Sequence, residues 1–353
     1  RDIVERQIIA TFSPLEIAAK NRETVLRNAY NKASRQTQRG MEGDTKAYVI
    51  PANQHDVLTS LKMVNKLLGQ GITVERSDQQ FIHEGRVYAA GTHVVSLAQP
   101  KRGVIRWLLG QTYYPDNSYT RTASGDPIRP YDMSADVLAE FMGVRVDPIS
   151  TVVQAPLSVL TNWVDPRGTV SRGQYGYLVS GLQNDAFKAV NLLFEAGALM
   201  HRVDIETGRA RAGDFIVDPE VSASTISEVA EETGVDFVAL DVDPSSFSHP
   251  IERQRIGMYQ RYYGGNMDEG WTRWLLEDFE FEYSSLLDPD ILEGDLIDKW
   301  DVIILPADSK QMMLGPAGSS EGGGPDPSST PPEYRSGFGQ EGVEALEAFV
   351  QAG

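Results

Sequence analysis

The sequence predicts an α/β chain in which small α/β units repeat and are followed by a domain built on a parallel sheet. Three observations predict it. β-rich runs and amphipathic helical stretches alternate along most of the 353 residues. One such pattern of strand, helix, strand and hairpin occurs twice. A further strand-helix alternation begins near Arg255. The length fits two to three domains.

Residues 1–40 read as helix. Ser13-Pro14-Leu15-Glu16 has the form of a capping box with proline at the first helical position. Leu15, Ala18, Ala19, Val25, Leu26, Ala29 and Tyr30 then fall on one face, which predicts packing against a partner surface. The polar stretch Asn31–Gly40 reads as a linker.

The internal repeat starts at Ala47-Tyr48-Val49-Ile50, which matches Gly176-Tyr177-Leu178-Val179. Gln54-His55-Asp56 matches Gln183-Asn184-Asp185, and the shared Asp predicts a helix cap in both copies. Asn65-Lys66-Leu67 matches Asn191-Leu192-Leu193, and Gly71 or Gly197 ends the helix. Arg76 and Asp78 match Arg202 and Asp204 on the next strand. Hairpins are predicted at Glu84-Gly85 and Thr207-Gly208. Ala90-Gly91-Thr92-His93-Val94-Val95 then matches Ala212-Gly213-Asp214-Phe215-Ile216-Val217. The first copy continues through a polar stretch, Tyr113–Tyr131, to a short helix at Ala135–Phe141. The second continues with a helix at Ser224–Thr233 and a strand at Val235–Val242.

The third run reads as strand Ile256–Tyr259, helix Asp268–Phe279, strand Tyr283–Leu287, helix Ile291–Leu296 and buried strand Val302–Leu305. This order implies a parallel sheet of flavodoxin-like or amidotransferase-like arrangement. Asp268 is expected to cap its helix, and Trp271, Trp274 and Phe279 to form its buried face. Gly315–Gly339, rich in Gly, Pro and Ser, reads as a long loop before a closing helix, Glu341–Ala352.

Composition excludes several function classes. The net charge of -18 repels phosphate backbones, which argues against a nucleic-acid partner. No apolar run has the length of a membrane span. With no cysteine, the chain has no disulfide, thiolate ligand or cysteine nucleophile. His249-Pro250-Ile251-Glu252 has a metal-ligand spacing but no later histidine follows it, and its Pro-rich context reads as a linker. His201 and Asp204 sit on a strand at a spacing that points them to opposite faces. No metal site, bound cofactor or catalytic residue is therefore assigned to this chain. The one candidate ligand site is the loop Tyr262–Gly270 with the helix start behind it, where Asp268, Glu269 and Trp271 stand at a strand end. Two carboxylates there oppose an anion and suit helix capping, or a cation or amine ligand.

Met267-Asp268-Glu269-Gly270-Trp271-Thr272-Arg273-Trp274, then Asp301-Val302-Ile303-Ile304-Leu305-Pro306, resembles the C-terminal region of large bacterial zinc carboxypeptidases. These have a carboxypeptidase A-like catalytic domain and end in a class I glutamine amidotransferase-like domain. Pro331-Pro332-Glu333-Tyr334, Gly339–Leu346, Ala47–Ala52, Ser96–Pro100, Arg129–Asp132 and Ala19–Arg22 continue the likeness over nearly the whole chain. The resemblance implies that zinc and the catalytic glutamate belong to a domain upstream. Residues 1–40 would be the helical exit from it, 41–150 and 151–250 two related α/β units, and 251–353 an incomplete amidotransferase-like domain. Arg1 in place of Met, and a last helix with no strand after it, fit the expectation of further sequence on both sides. The implied role is accessory, shaping access of a peptide or protein substrate or docking partners, in a secreted or periplasmic enzyme. The alternative is a stand-alone module that binds a small molecule or peptide without catalysis.

Overall fold

The computed structural model describes residues 2–111, 115–128, 138–261, 265–315 and 337–353. The fold is α/β, with antiparallel and parallel sheets. The chain divides into two compact units, Arg1–Pro166 and Arg167–Gly353.

The first unit opens with α1 (Asp2–Lys20) and α2 (Arg22–Glu42), which meet at Asn21. The expected capping box does not start a helix. α1 runs through Pro14, and the Ser13 hydroxyl donates back to the Ile9 carbonyl at 2.8 Å. The good helix formers Leu15, Glu16, Ala18 and Ala19 carry the helix past Pro14, and water can satisfy the carbonyl that proline leaves free on an exposed helix. The apolar face is also uncovered: α1 buries no residue, and Leu15, Val25, Leu26 and Tyr30 are exposed. The stretch read as a polar linker is the second half of α2. It is anchored at Gly40, where an added Cβ would lie 1.8 Å from the Leu97 carbonyl oxygen, so only glycine permits this approach.

Next come β1 (Ala47–Ile50), α3 (Val57–Gly69), β2 (Glu75–Ser77), β3 (Phe81–His83), β4 (Arg86–Tyr88), β5 (His93–Ser96), α4 (Arg102–Leu109), α5 (Leu138–Phe141), β6 (Asp147–Ile149) and β7 (Leu157–Val159). β3 and β4 form the expected hairpin, with Glu84 and Gly85 at φ 47° and 75°. Such positive angles at both central residues match the strand twist. The Glu84 carboxylate accepts from the backbone N–H groups of Ser150 and Thr151 at 2.8 and 2.9 Å, and the Ser150 bonds hold its pKa down to about 2. The main sheet has the order β6-β1-β5-β2-β7, antiparallel throughout. Strand alternation splits its core. Tyr48 and Ile50 join Met63, Leu67 and Ile105 on the helix side, while Val49 packs with Phe81, Tyr88 and Ile149 under the hairpin.

The second unit begins with β8 (Tyr177–Val179), α6 (Asn184–Glu195), β9 (Met200–Val203), β10 (Phe215–Val217), α7 (Ala223–Thr233), β11 (Val238–Ala239) and β12 (Ser248–Ile251). Its sheet has the order β11-β8-β10-β9-β12, again antiparallel throughout. Replacing each strand by its counterpart turns this into the order of the first sheet, so the internal repeat is a structural duplication. A recurring contact supports this. The Thr92 hydroxyl accepts from Ala52 N–H at 3.1 Å, and the matched Asp214 carboxylate accepts from Gly181 N–H at 2.9 Å. The shared capping role is only half realised. Asp56 caps α3 by accepting from Thr59 N–H at 2.9 Å, whereas Asp185 lies buried in the first turn of α6 behind Gln183. The strand read at 235–242 shortens to β11, and the segment read as a linker forms β12 against β9. The boundary expected at 150 falls between β6 and β7, which belong to one sheet.

The second unit continues with β13 (Ile256–Tyr259), α8 (Met267–Asp278), β14 (Tyr283–Leu286), α9 (Asp288–Leu292), α10 (Leu296–Lys299), β15 (Val302–Ile304), α11 (Lys310–Leu314) and α12 (Gly339–Ala352). The strands are parallel in the order β14-β13-β15, the order that the first three strands of a flavodoxin-like sheet take. One helix was expected between β14 and β15 and two are present, because Gly294 and Asp295, both at positive φ, break the run. β15 is not the buried strand read from its sequence. It is an edge strand, and Val302 is exposed. Tyr259, Leu286, Ile291 and Phe338 form the local core, with α12 packed on α9. Most of the expected Gly-Pro-Ser loop, residues 316–336, lies outside the described residues, as do 112–114, 129–137 and 262–264.

Candidate functional site

The parallel strands place several polar groups at their C-terminal ends, where such sheets hold ligands. β13 leaves the sheet at Tyr259, and Asn266 opens α8. The Asn266 Oδ1 accepts from Asp268 N–H at 2.9 Å, so asparagine is the cap and Asp268 stands in the first turn. This corrects the expected role of Asp268. The Asn266 amide also donates to the Ala307 carbonyl at 3.1 Å, tying the loop after β13 to the loop after β15. Arg261 pairs with Asp308 across the same gap at 3.1 Å, both largely buried. After β14, Asp288 accepts from the Tyr259 hydroxyl and from Gly337 N–H, each at 2.7 Å. Burial, reinforced by Asp288, holds Tyr259 well above the usual phenol pKa, so it stays a neutral donor. These groups mainly satisfy one another.

The outward face of α8 is different. Glu269 turns inward and pairs with Arg273, whose guanidinium lies 5.7 Å from the Tyr283 ring centre. Tyr283 donates to Glu277 at 2.6 Å, and burial with that acceptor pushes its pKa up to about 12. Leu276 completes the buried side. The apolar residues point the other way: Met267 is 82% exposed, Trp271 67% and Trp274 56%. The two indoles meet edge to face at 6.0 Å and 88°. The helix therefore buries an ion pair and presents its largest apolar side chains outward, against the expectation that Trp271 and Trp274 would fill the core. Spacing identifies such a stripe but does not say which way it faces.

Of the candidate residues, Asp268 in the first turn and Trp271 at the start of the second are exposed, and Glu269 does not join them. Sequence reasoning missed Asn266, although an Asn directly before an acidic turn is a cap signal. It also missed Arg261, Asp288 and Asp308, whose partners are distant in the chain. Among the described residues no group of three or more His, Cys, Asp or Glu side chains is placed to hold a metal ion, and no helix is long and apolar enough to cross a membrane. His249 of the His-Pro-Ile-Glu stretch instead pairs with Asp204 at 2.8 Å. No family model matches the chain, and neither a curated protein nor a solved structure matches it significantly.

Proposed function

We propose that this chain is the non-catalytic, accessory portion of a zinc metallocarboxypeptidase, and that it docks peptide or protein substrate on the exposed face of α8. The observation that carries the reading is the outward Trp271–Trp274 pair on a helix whose inward side carries the Glu269–Arg273 pair. The same residues belong to the motif most similar to the C-terminal regions of that family. Exposed Trp beside Asp268 and Asp278, on a chain of net charge -18, favours a peptide carrying both apolar and basic side chains. In the proposed enzyme the zinc and the hydrolytic residues lie outside this chain.

The test is a calorimetric titration with a short Lys- and Leu-containing peptide. The wild-type chain should give a saturable change, and Trp271→Ala with Trp274→Ala should remove it. Because both indoles are exposed, the double variant should lose no more than about 1 kcal/mol of stability. Saturable binding that survives both substitutions would count against the α8 surface. A stand-alone binding module is the second reading. An upstream coding sequence with a His-x-x-Glu and a later His separates the two.

A further inference from the structure

The second unit contains a pocket of about 220 Å³ between α6, β9, β10, the segment 251–254 that leads into β13, and Phe281–Glu282 just after α8. Its walls include Phe187, Phe194, Phe215 and Phe281. Phe187 and Phe215 meet edge to face at 5.4 Å, and the Arg202 guanidinium lies 3.9 Å from the Phe215 ring centre. Among the described residues no carboxylate lies within ion-pair distance of Arg202. Burial depresses its pKa, with Asp214 opposing from beyond contact. A guanidinium held on an aromatic face and left without an ion pair is suited to a bidentate carboxylate. Arg253, on the same wall, pairs with Glu282 at 3.0 Å through Nη1, while its buried Nε has no hydrogen-bond partner.

The duplication shows that this pocket is not a by-product of the fold. Arg76 takes the place of Arg202, pairing across β2 and β5 with His93 as Arg202 does with Phe215 across β9 and β10. Both arginines lie beside a positive-φ glycine, Gly91 or Gly213, so that packing role is common to the two copies. The first copy has Leu58 and His93 where the second has Phe187 and Phe215. The aromatic wall belongs to the second copy alone. A cavity of roughly 150 Å³ accommodates a benzene ring, so this one has room for a ring and a short charged arm.

We infer that this pocket binds a small organic carboxylate with an aromatic or branched apolar body, its carboxylate on Arg202 and its body against Phe187, Phe194 and Phe215. The assignment is independent of the α8 docking surface. Calorimetric titration of the full chain with phenylpropanoate, phenylalanine and phenethylamine tests it. Both carboxylates should bind saturably and the amine should not. Tighter binding of phenylalanine assigns free amino acids, with Glu252 facing the ammonium, and tighter phenylpropanoate assigns simple acids. Arg202→Gln should weaken binding by about tenfold or more. Phe187→Leu, which installs the residue of the first copy, should weaken it with the fold retained, so a loss of folding in the arginine variant would not hide the answer. The inference is overturned if neither carboxylate binds, if the amine binds as well as they do, or if neither folded variant changes the affinity.

Discussion

Leu67→Ala and Leu193→Ala should each cost about 2–5 kcal/mol, the usual range for removing a buried leucine side chain. Both leucines have no exposed surface, and each sits at the matched position of α3 or α6. Leu67 packs under β1 with Tyr48, Ile50 and Met63. Hydrogen exchange of β1 amides reads the first variant, and that of β8 amides reads the second. The losses should be similar, because the duplicated topology gives the two side chains one job. A cost under about 1 kcal/mol at either site would mean that its helix does not pack on its sheet as described.

The second large effect is an acid sensitivity of the first unit. His93 is buried on β5, its Nε2 has no hydrogen-bond partner, and burial with the neighbouring Arg76 charge lowers its pKa to about 4. The unfolded chain protonates this histidine near its ordinary value of about 6.5. Its neutral form therefore contributes full stability above about pH 6.5, and stability falls with pH down to about pH 4, where the folded state also takes the proton. The loss across that window should be about 3 kcal/mol. His93→Phe, which copies the Phe215 of the second repeat, should flatten this part of the profile. Urea midpoints of wild type and variant from pH 4 to 7 check it. Parallel profiles would show that His93 does not titrate as its burial requires.

Much of the architecture was legible because it rests on short-range chemistry. Glu84-Gly85 marks a tight hairpin since both positions need positive φ. Gly234 ends α7 in the left-handed conformation for the same reason. The repeat was legible because matched residues occupy matched faces, with Tyr48 and Tyr177 both buried. What failed depended on long-range context. The Ser13-Pro14 signal is a genuine cap pattern, but nothing local says that the helix before it continues. The apolar stripe of α8 is equally genuine. Its orientation depends on Arg273, paired with Glu269 one turn back, meeting the Tyr283 ring of β14, a contact that spacing alone does not reveal. The same orientation turns Trp274 from an expected core residue into the centre of the candidate site.

Hydrogen exchange of the full chain with and without the Lys- and Leu-containing peptide tests the docking account most directly. Saturating peptide should slow exchange across α8, Met267–Asp278, and the slowing should vanish when Trp271 and Trp274 are both alanine. Peptide that binds while leaving α8 exchange unchanged, or protection that persists without both indoles, would contradict it.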